Sequence, residues 1–426
     1  DLFGVDKKYR YLPLYSVSGL WRISQEPFMA SAKWIDNLVV RASYGLQGNI
    51  DKNTSPFLLG NYRIENILPG GSEDMIDVSG APNKKLRWEK THSVNAGFDF
   101  AVLNQAINLS VDYYYRKGVD LIGTQMLPLE TGFEMLTVNW ASMRNQGVEV
   151  ALSTRNVHTK NFMWTTNFNF AYNNNKVLKE ALREDALEPG REGYPAGALF
   201  ALKTAGLDEE GYPMFQDKDG KAVSAMEFFK LQEWGFGATD LTARERRELY
   251  TYVGTADCPY TGGFNNTFTY KAFELGVNFS FDFGGKVRSQ PTYSIVDFDK
   301  GRNTNRDILN RWTPENTETI FPVLLSQNER LDEYMWYSNQ NEIYRNLDIW
   351  IRDLNYVRLQ NIRLGYTLPT NFSRTLGMTS ATVAIEGRNL LVFGSSYKNY
   401  LDPETMSNAY ATPAPKSVTL SLNLIF

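Results

Sequence analysis

The sequence predicts an all-β chain, folded as a transmembrane antiparallel β-barrel, and three observations carry that expectation. Apolar and polar residues alternate with a period of two through most of the chain, which sets one row of side chains on an apolar face and one on a polar face. The alternating segments run to about ten residues, enough to cross a bilayer at a tilt, whereas strands of soluble sandwiches average about five or six. Aromatic residues make up 14% of the 426 residues, yet the mean hydropathy is a polar -0.38. A helical membrane protein needs roughly 20 mostly apolar residues per span, and no such run occurs. A barrel with a wet interior and aromatic girdles is polar on average and aromatic at once. Alternation alone also suits a soluble sheet packed on a core, so length and repetition favour the barrel.

The strands follow in order. Asn37–Gly45 and His92–Phe100 alternate less cleanly. In INLSVDYYY, Ile107, Leu109, Val111, Tyr113 and Tyr115 oppose Asn108, Ser110, Asp112 and Tyr114. Asn145–Thr154 precedes NFMWTTNFNFAYNNN, where Phe162, Trp164, Phe168, Phe170 and Tyr172 oppose Met163, Thr165, Asn167 and Asn169. FNNTFTYKAFELGVNFSFDFGG reads as a hairpin turning near Lys271-Ala272-Phe273. Val357–Leu368 and Ala381–Val392 come next, and the chain closes on SVTLSLNLIF, with Val418, Leu420, Leu422, Leu424 and Phe426 on one parity. In all, roughly twelve to fourteen strands are expected.

Two long stretches break the pattern, about 177–250 and about 286–353. Loops of that length are rare in compact domains and usually functional, and bacterial barrels carry their long loops outside the cell. The first contains a charged helical piece, TDLTARERRELY, which Thr239 or Asp240 would cap. Asp217-Lys218-Asp219-Gly220 lacks the further ligands and closing glutamate of a calcium loop and reads as a hairpin turn on Asp-Gly.

The 44 basic and 48 acidic residues nearly cancel, so nothing argues for a nucleic-acid partner. One cysteine, Cys258, excludes an intrachain disulfide framework, and with only His92 and His158 a His-based metal or catalytic cluster is unexpected. Phosphate-loop, nucleophile-elbow and HExxH motifs are absent, and no spacing selects a carboxylate pair for glycoside hydrolysis. No enzyme and no cofactor are expected. The opening residues have no signal-peptide pattern.

RASYGLQGNI (Arg41–Ile50), LRWEKTHSVNAGFDF (Leu86–Phe100), VDYYYRKGVDLI (Val111–Ile122), NWASMRNQGVEVAL (Asn139–Leu152), RWTPENTET (Arg311–Thr319), LNYVRLQNIRLGYTLP (Leu354–Pro369) and EGRNLLVF with LDPE (Glu386–Glu404) together resemble the SusC/RagA family of TonB-dependent outer-membrane transporters. The resemblance implies that residues 1–426 are the C-terminal part of a roughly 22-stranded barrel with long extracellular loops, in the outer membrane of a Gram-negative, Bacteroidetes-like cell. It implies that a plug, a TonB box and the first part of the barrel lie in a missing N-terminal portion, through which the TonB complex acts. It implies a SusD-like surface lipoprotein as partner, a dimer of heterodimers, contact with outer-membrane lipid, and import of an oligosaccharide or oligopeptide. The alternatives are another TonB-dependent receptor, for a metal chelate, or a secreted all-β glycan-binding module or hydrolase.

The candidate substrate contacts are Tyr334, Trp336 and Tyr337, with Asn339 and Asn341 beside them, since aromatic faces stack on sugar rings and amides fix orientation. The simpler reading is that these rings pack the long loop against its neighbours, and next to that, that they contact the lipoprotein. Trp312 and Pro314 read as structural, and Asn167 and Asn169 as residues of a polar lumen. By resemblance to outer-membrane barrels, the terminal Phe426 is a barrel-assembly signal.

Overall fold

The computed structural model describes residues 5–50, 56–68, 71–133, 135–232, 239–289, 301–302, 306–324, 345–375, 377–394, 402–405 and 411–426. Eleven strands form one antiparallel sheet: β1 (Tyr15–Arg22), β2 (Ile35–Asn49), β3 (Glu89–Val102), β4 (Ile107–Met126), β5 (Met135–His158), β6 (Phe162–Lys179), β7 (Tyr260–Tyr270), β8 (Phe273–Arg288), β9 (Ile351–Thr367), β10 (Ser380–Phe393) and β11 (Ser417–Ile425). Each pairs with the next in sequence, a meander without crossovers that leaves β1 and β11 as open edges. The sheet is the wall of a barrel that this chain does not close. Among the described residues the sheet holds eleven strands, against the roughly twelve to fourteen expected, and further short strands in the connections pair among themselves outside it. β1 was not anticipated, nor was the hairpin Leu59–Leu68 with Gly71–Gly80.

The register makes the two faces explicit. Phe168, Phe264 and Phe279 are cross-strand neighbours on β6, β7 and β8, as are Phe170, Gly262 and Phe281 one pair further along. Their rings stack, with centroids 4.7 Å apart for Phe264 and Phe279 and 6.3 Å for Phe168 and Phe281. On β11, Leu420 lies opposite Ile385 and Leu422 opposite Val383, while Ser421 faces the polar side beside Ala384. Leu420 is 77% exposed and Val418 69%. A continuous apolar face left this open belongs against lipid.

Aromatic residues bound that face at both ends. Phe162, Tyr270, Phe273 and Tyr366 form one row, and Tyr172, Tyr260 and Phe283 another. From Phe162 to Tyr172 is ten residue steps, roughly 33 Å along a strand. At a tilt of about 40° that becomes about 25 Å of height, the thickness of the apolar band of a membrane barrel. The longest strand, β5, has 24 residues and therefore runs well past the bilayer.

One rim carries tight turns: residues 103–106, 159–161 and 271–272. The last is the expected hairpin turn, with Lys271 at φ +53°. The other rim carries the long connections, and these are not structureless. The connection between β6 and β7 and that between β8 and β9 share one apolar core of Leu202, Phe215, Val223, Ala225, Phe228, Phe229, Leu231, Leu347 and Trp350. The Phe215, Phe228 and Phe229 rings pack with centroids 4.8 to 5.2 Å apart. Strand Ala198–Leu202 pairs with Tyr250–Thr255, and Pro213–Gln216 pairs with Ala222–Val223 around the Asp-Gly turn. In that turn Asp217 accepts bonds from the Asp219 and Lys221 amides, 3.0 and 2.8 Å, so the carboxylate closes the hairpin. Gly211, at φ +88°, lies under the Trp312 ring; a Cβ there would come within 2.4 Å of it.

The charged helix is Ala243–Glu248, and its cap is Thr242 rather than Thr239 or Asp240. Thr242 and Glu245 form a reciprocal capping box. The bond from the Thr242 amide, with that from its hydroxyl, holds the Glu245 carboxyl below its usual range. Thr239 is engaged elsewhere, its hydroxyl donating to the Phe229 carbonyl.

Because Phe215 is fully buried in the loop core, Phe215→Ala should destabilise that core by about 3–5 kcal/mol. Limited proteolysis of the membrane-assembled protein should then cut between residues 203 and 231. The barrel's heat-modifiable migration in electrophoresis should be unchanged.

Candidate functional site

The polar face carries an amide ladder. Asn108, Ser153, Asn167, Asn265, Asn278 and Asn361 are successive cross-strand neighbours from β4 to β9. Most of them line a recess of about 430 Å³ together with Asn169. Asn167 and Asn169 thus sit on the polar side, as the alternation requires. Each amide offers donors and acceptors without charge, which suits neutral hydrogen-bonding solutes such as sugar hydroxyls or peptide backbone.

Beside the ladder stands a charged cluster. Arg41 on β2 reaches across β3 to β4: its Nη2 is 3.2 Å from Asp99, 2.7 Å from Asp112 and 3.0 Å from the Ser110 hydroxyl. One glycine makes room for it and a second makes room for the Tyr114 ring beside it. A Cβ on Gly97 would lie 2.3 Å from the Asp112 carboxylate, and one on Gly147 would lie 2.6 Å from the Tyr114 hydroxyl. Tyr114 lies across that space and donates to Asn173, 2.9 Å away. Arg41, Asp112, Tyr114, Arg116 and Glu149 face a second recess of about 500 Å³. The charges are half-exposed, so solvent screens them, and their worth is in orientation more than in stability.

The third feature is a clamp. Arg358 on β9 is 1% exposed. Its guanidinium pairs with Asp402 and, at 2.8 Å, with Glu404. Tyr356 donates to Asp282 and Glu404. Asp402 also accepts from the Glu404 amide at 3.0 Å and the Ala414 amide at 3.3 Å. The connection between β10 and β11 is thereby strapped to the polar face of the barrel. A fourth cluster stands towards the long-loop rim, where Asp120 holds Arg87 at 2.6 Å and Lys90 at 2.9 Å. Buried Asn139 bridges the Arg87 and Asp120 carbonyls, both at 2.7 Å.

Tyr334, Trp336, Tyr337, Asn339 and Asn341 lie outside the described residues. Phe426 stands just past β11, exposed. The clusters at Arg41, Arg87 and Arg358 do not stand out in the alternation, because charge facing a polar lumen is ordinary; their one signal is that each arginine lies in a stretch that resembles the family. Among the described residues no grouping of three or more His, Cys, Asp or Glu is arranged to hold a metal.

A wall with a lipid-facing aromatic surface and a hydrogen-bonding interior defines a segment of a large outer-membrane barrel. Residues 4–390 match the model of the TonB dependent receptor-like, beta-barrel family, and the chain belongs to that family. It is 26% identical to TonB-dependent receptor P3 of Formosa agariphila, over all of this chain and 42% of the relative. It is 25% identical to TonB-dependent receptor SusC of Bacteroides thetaiotaomicron, over 99% of this chain and 40% of the relative. The fold superposes on the RagAB peptide transporter with a TM-score of 0.76 at 24% identity, covering 99% of this chain and 44% of that one. The chain therefore spans about two-fifths of the length of these relatives. They are transporters and receptors rather than enzymes.

Arg358→Gln should leave Asp402 buried without a cation, a loss of about 3–5 kcal/mol. Protease should then cut within the 394–416 connection. Glu404→Gln, whose side chain is 42% exposed, should have a much smaller effect.

Proposed function

We propose that this chain is the C-terminal part of the wall of a TonB-dependent importer of large nutrients, oligosaccharides or oligopeptides. The observation that carries the reading is the uncharged amide ladder on the inner face of a family-matched barrel wall. A polar solute passing along it exchanges hydrogen bonds with water for bonds to Asn108, Asn167, Asn265, Asn278 and Asn361, one amide replacing the next, without a deep trap. Such a surface is tolerant by construction, which fits a broad solute class better than one rigid ligand.

In this reading the long-loop rim faces outside the cell and the short-turn rim faces the periplasm. The folded loop core then forms a platform at the mouth, where a SusD-like surface lipoprotein docks. Tyr334, Trp336, Tyr337, Asn339 and Asn341 belong to the connection between β8 and β9 and would reach solute or lipoprotein from it. The open edges at β1 and β11 are filled by further strands of the same barrel, since unpaired strand edges are not tolerated in lipid. A plug and TonB box in the remaining portion supply the coupling, and two such pairs assemble as a dimer of heterodimers.

Native purification in mild detergent, followed by mass spectrometry of co-purifying small molecules, tests this. A lipoprotein partner with a bound peptide mixture or a defined glycan supports it. A free metal chelate, or a protein extracted without detergent, contradicts it. Deleting Phe426 should reduce the amount of heat-modifiable, membrane-assembled protein several-fold. Solute binding by the fraction that does assemble should stay unchanged.

A further inference from the structure

We propose that Lys117, Arg144 and Lys176, on the lipid-facing side of β4, β5 and β6, form a site for the phosphate headgroup of a membrane lipid. The register places Lys117 directly opposite Arg144, and Arg144 directly opposite Lys176. Neighbouring cross-strand residues are about 5 Å apart, and like charges placed opposite one another are destabilising. A row of three cations therefore calls for an anion.

Protein groups do not supply it. Among the described residues none of the three has a salt-bridge partner, and Arg144 Nε is shielded from solvent with no acceptor. Asp120, towards the long-loop rim, is already shared by Arg87 and Lys90. Glu149, on the same strand as Arg144, is paired in register with Asp112 and so faces the interior. His92, paired with Lys117, contacts the Tyr44 hydroxyl at 3.0 Å. Lys179 adds a further positive charge nearby, seated 3.5 Å over the Trp140 ring.

The position specifies the kind of anion. Lys117 lies two residues beyond Tyr115 and four beyond Tyr113 on the same face, and Lys176 lies four beyond Tyr172, in the girdle. Four residues are roughly 13 Å along a tilted strand, about 10 Å in height. The row thus stands just outside the hydrocarbon, at headgroup depth. It is continuous with the apolar face below it, which acyl chains already cover. One molecule satisfies both surfaces: a lipid whose chains lie on the Tyr113, Val148 and Tyr172 strip and whose phosphate meets the cations. A soluble anion would gain nothing from that strip.

The test uses the intact detergent-purified transporter and monophosphoryl lipid A as the probe. Native mass spectrometry should show retention of the phosphorylated lipid well above that of its dephosphorylated counterpart, with inorganic phosphate failing to compete. Each of Lys117→Gln, Arg144→Gln and Lys176→Gln should weaken retention by about five-fold, and Arg144→Lys should restore most of it. Equal retention of the two lipids by the unaltered protein would overturn the proposal, and that comparison does not depend on any variant folding. Displacement by inorganic phosphate would reassign the row to a soluble anion. Unchanged lipid retention with loss of the dimer or of the lipoprotein would reassign it to a protein contact.

Discussion

Inside a bilayer every backbone N–H and C=O must be bonded within the protein, because no water is present to take its place. The eleven-stranded meander is the answer this sequence gives, and the remaining features follow from it. Paired strands fix the direction of each side chain, so one parity is committed to lipid and the other to the interior. Once that is set, the phenylalanine stacks on β6, β7 and β8 and the leucines of β11 can only lie outward. The asparagine ladder can only lie inward.

The alternation was legible in sequence because its period is local: two residues are enough to see it. What the sequence withheld was long-range. Arg358 and Asp402 are far apart in the chain, and nothing near either residue announces the other. Yet NYVRLQ and LDPE had both stood out as family-like stretches, and their charged residues are the two halves of the clamp. RASYG, GFDF and VDYYY meet in the same way through Arg41, Asp99 and Asp112. LRWEK, GVDLI and NWASM meet through Arg87, Asp120 and Asn139. Separate stretches of sequence were single contacts seen from both ends.

The long connections show the opposite case. Their apolar residues are spread over two stretches separated by β7 and β8, so neither stretch alone has the period of a core. Only when the hairpin of β7 and β8 brings the two connections to the same rim do Phe215, Phe228, Leu347 and Trp350 become neighbours. The helix cap falls later for a smaller reason: Thr239, Asp240 and Thr242 all have cap chemistry, but the Thr239 oxygen accepts from the Leu241 amide and Asp240 from the Gln232 side chain, while Thr242 forms the capping box with Glu245. The candidate aromatic contacts at Tyr334, Trp336 and Tyr337 lie outside the described residues, so the site that structure defines is the wall and not the mouth.

The most direct test of the two-faced wall is an accessibility scan along β11. Single cysteines at Val418, Thr419, Leu420, Ser421, Leu422 and Asn423, with Cys258 replaced by serine, would carry spin labels in the intact protein reconstituted in lipid. The structure predicts strict alternation. Labels at Val418, Leu420 and Leu422 should collide with dissolved oxygen in the acyl chains, and labels at Thr419, Ser421 and Asn423 with a water-soluble nickel complex. Equal access of the nickel complex to both rows would contradict a lipid-facing surface, and with it the assignment of this chain to a membrane barrel wall.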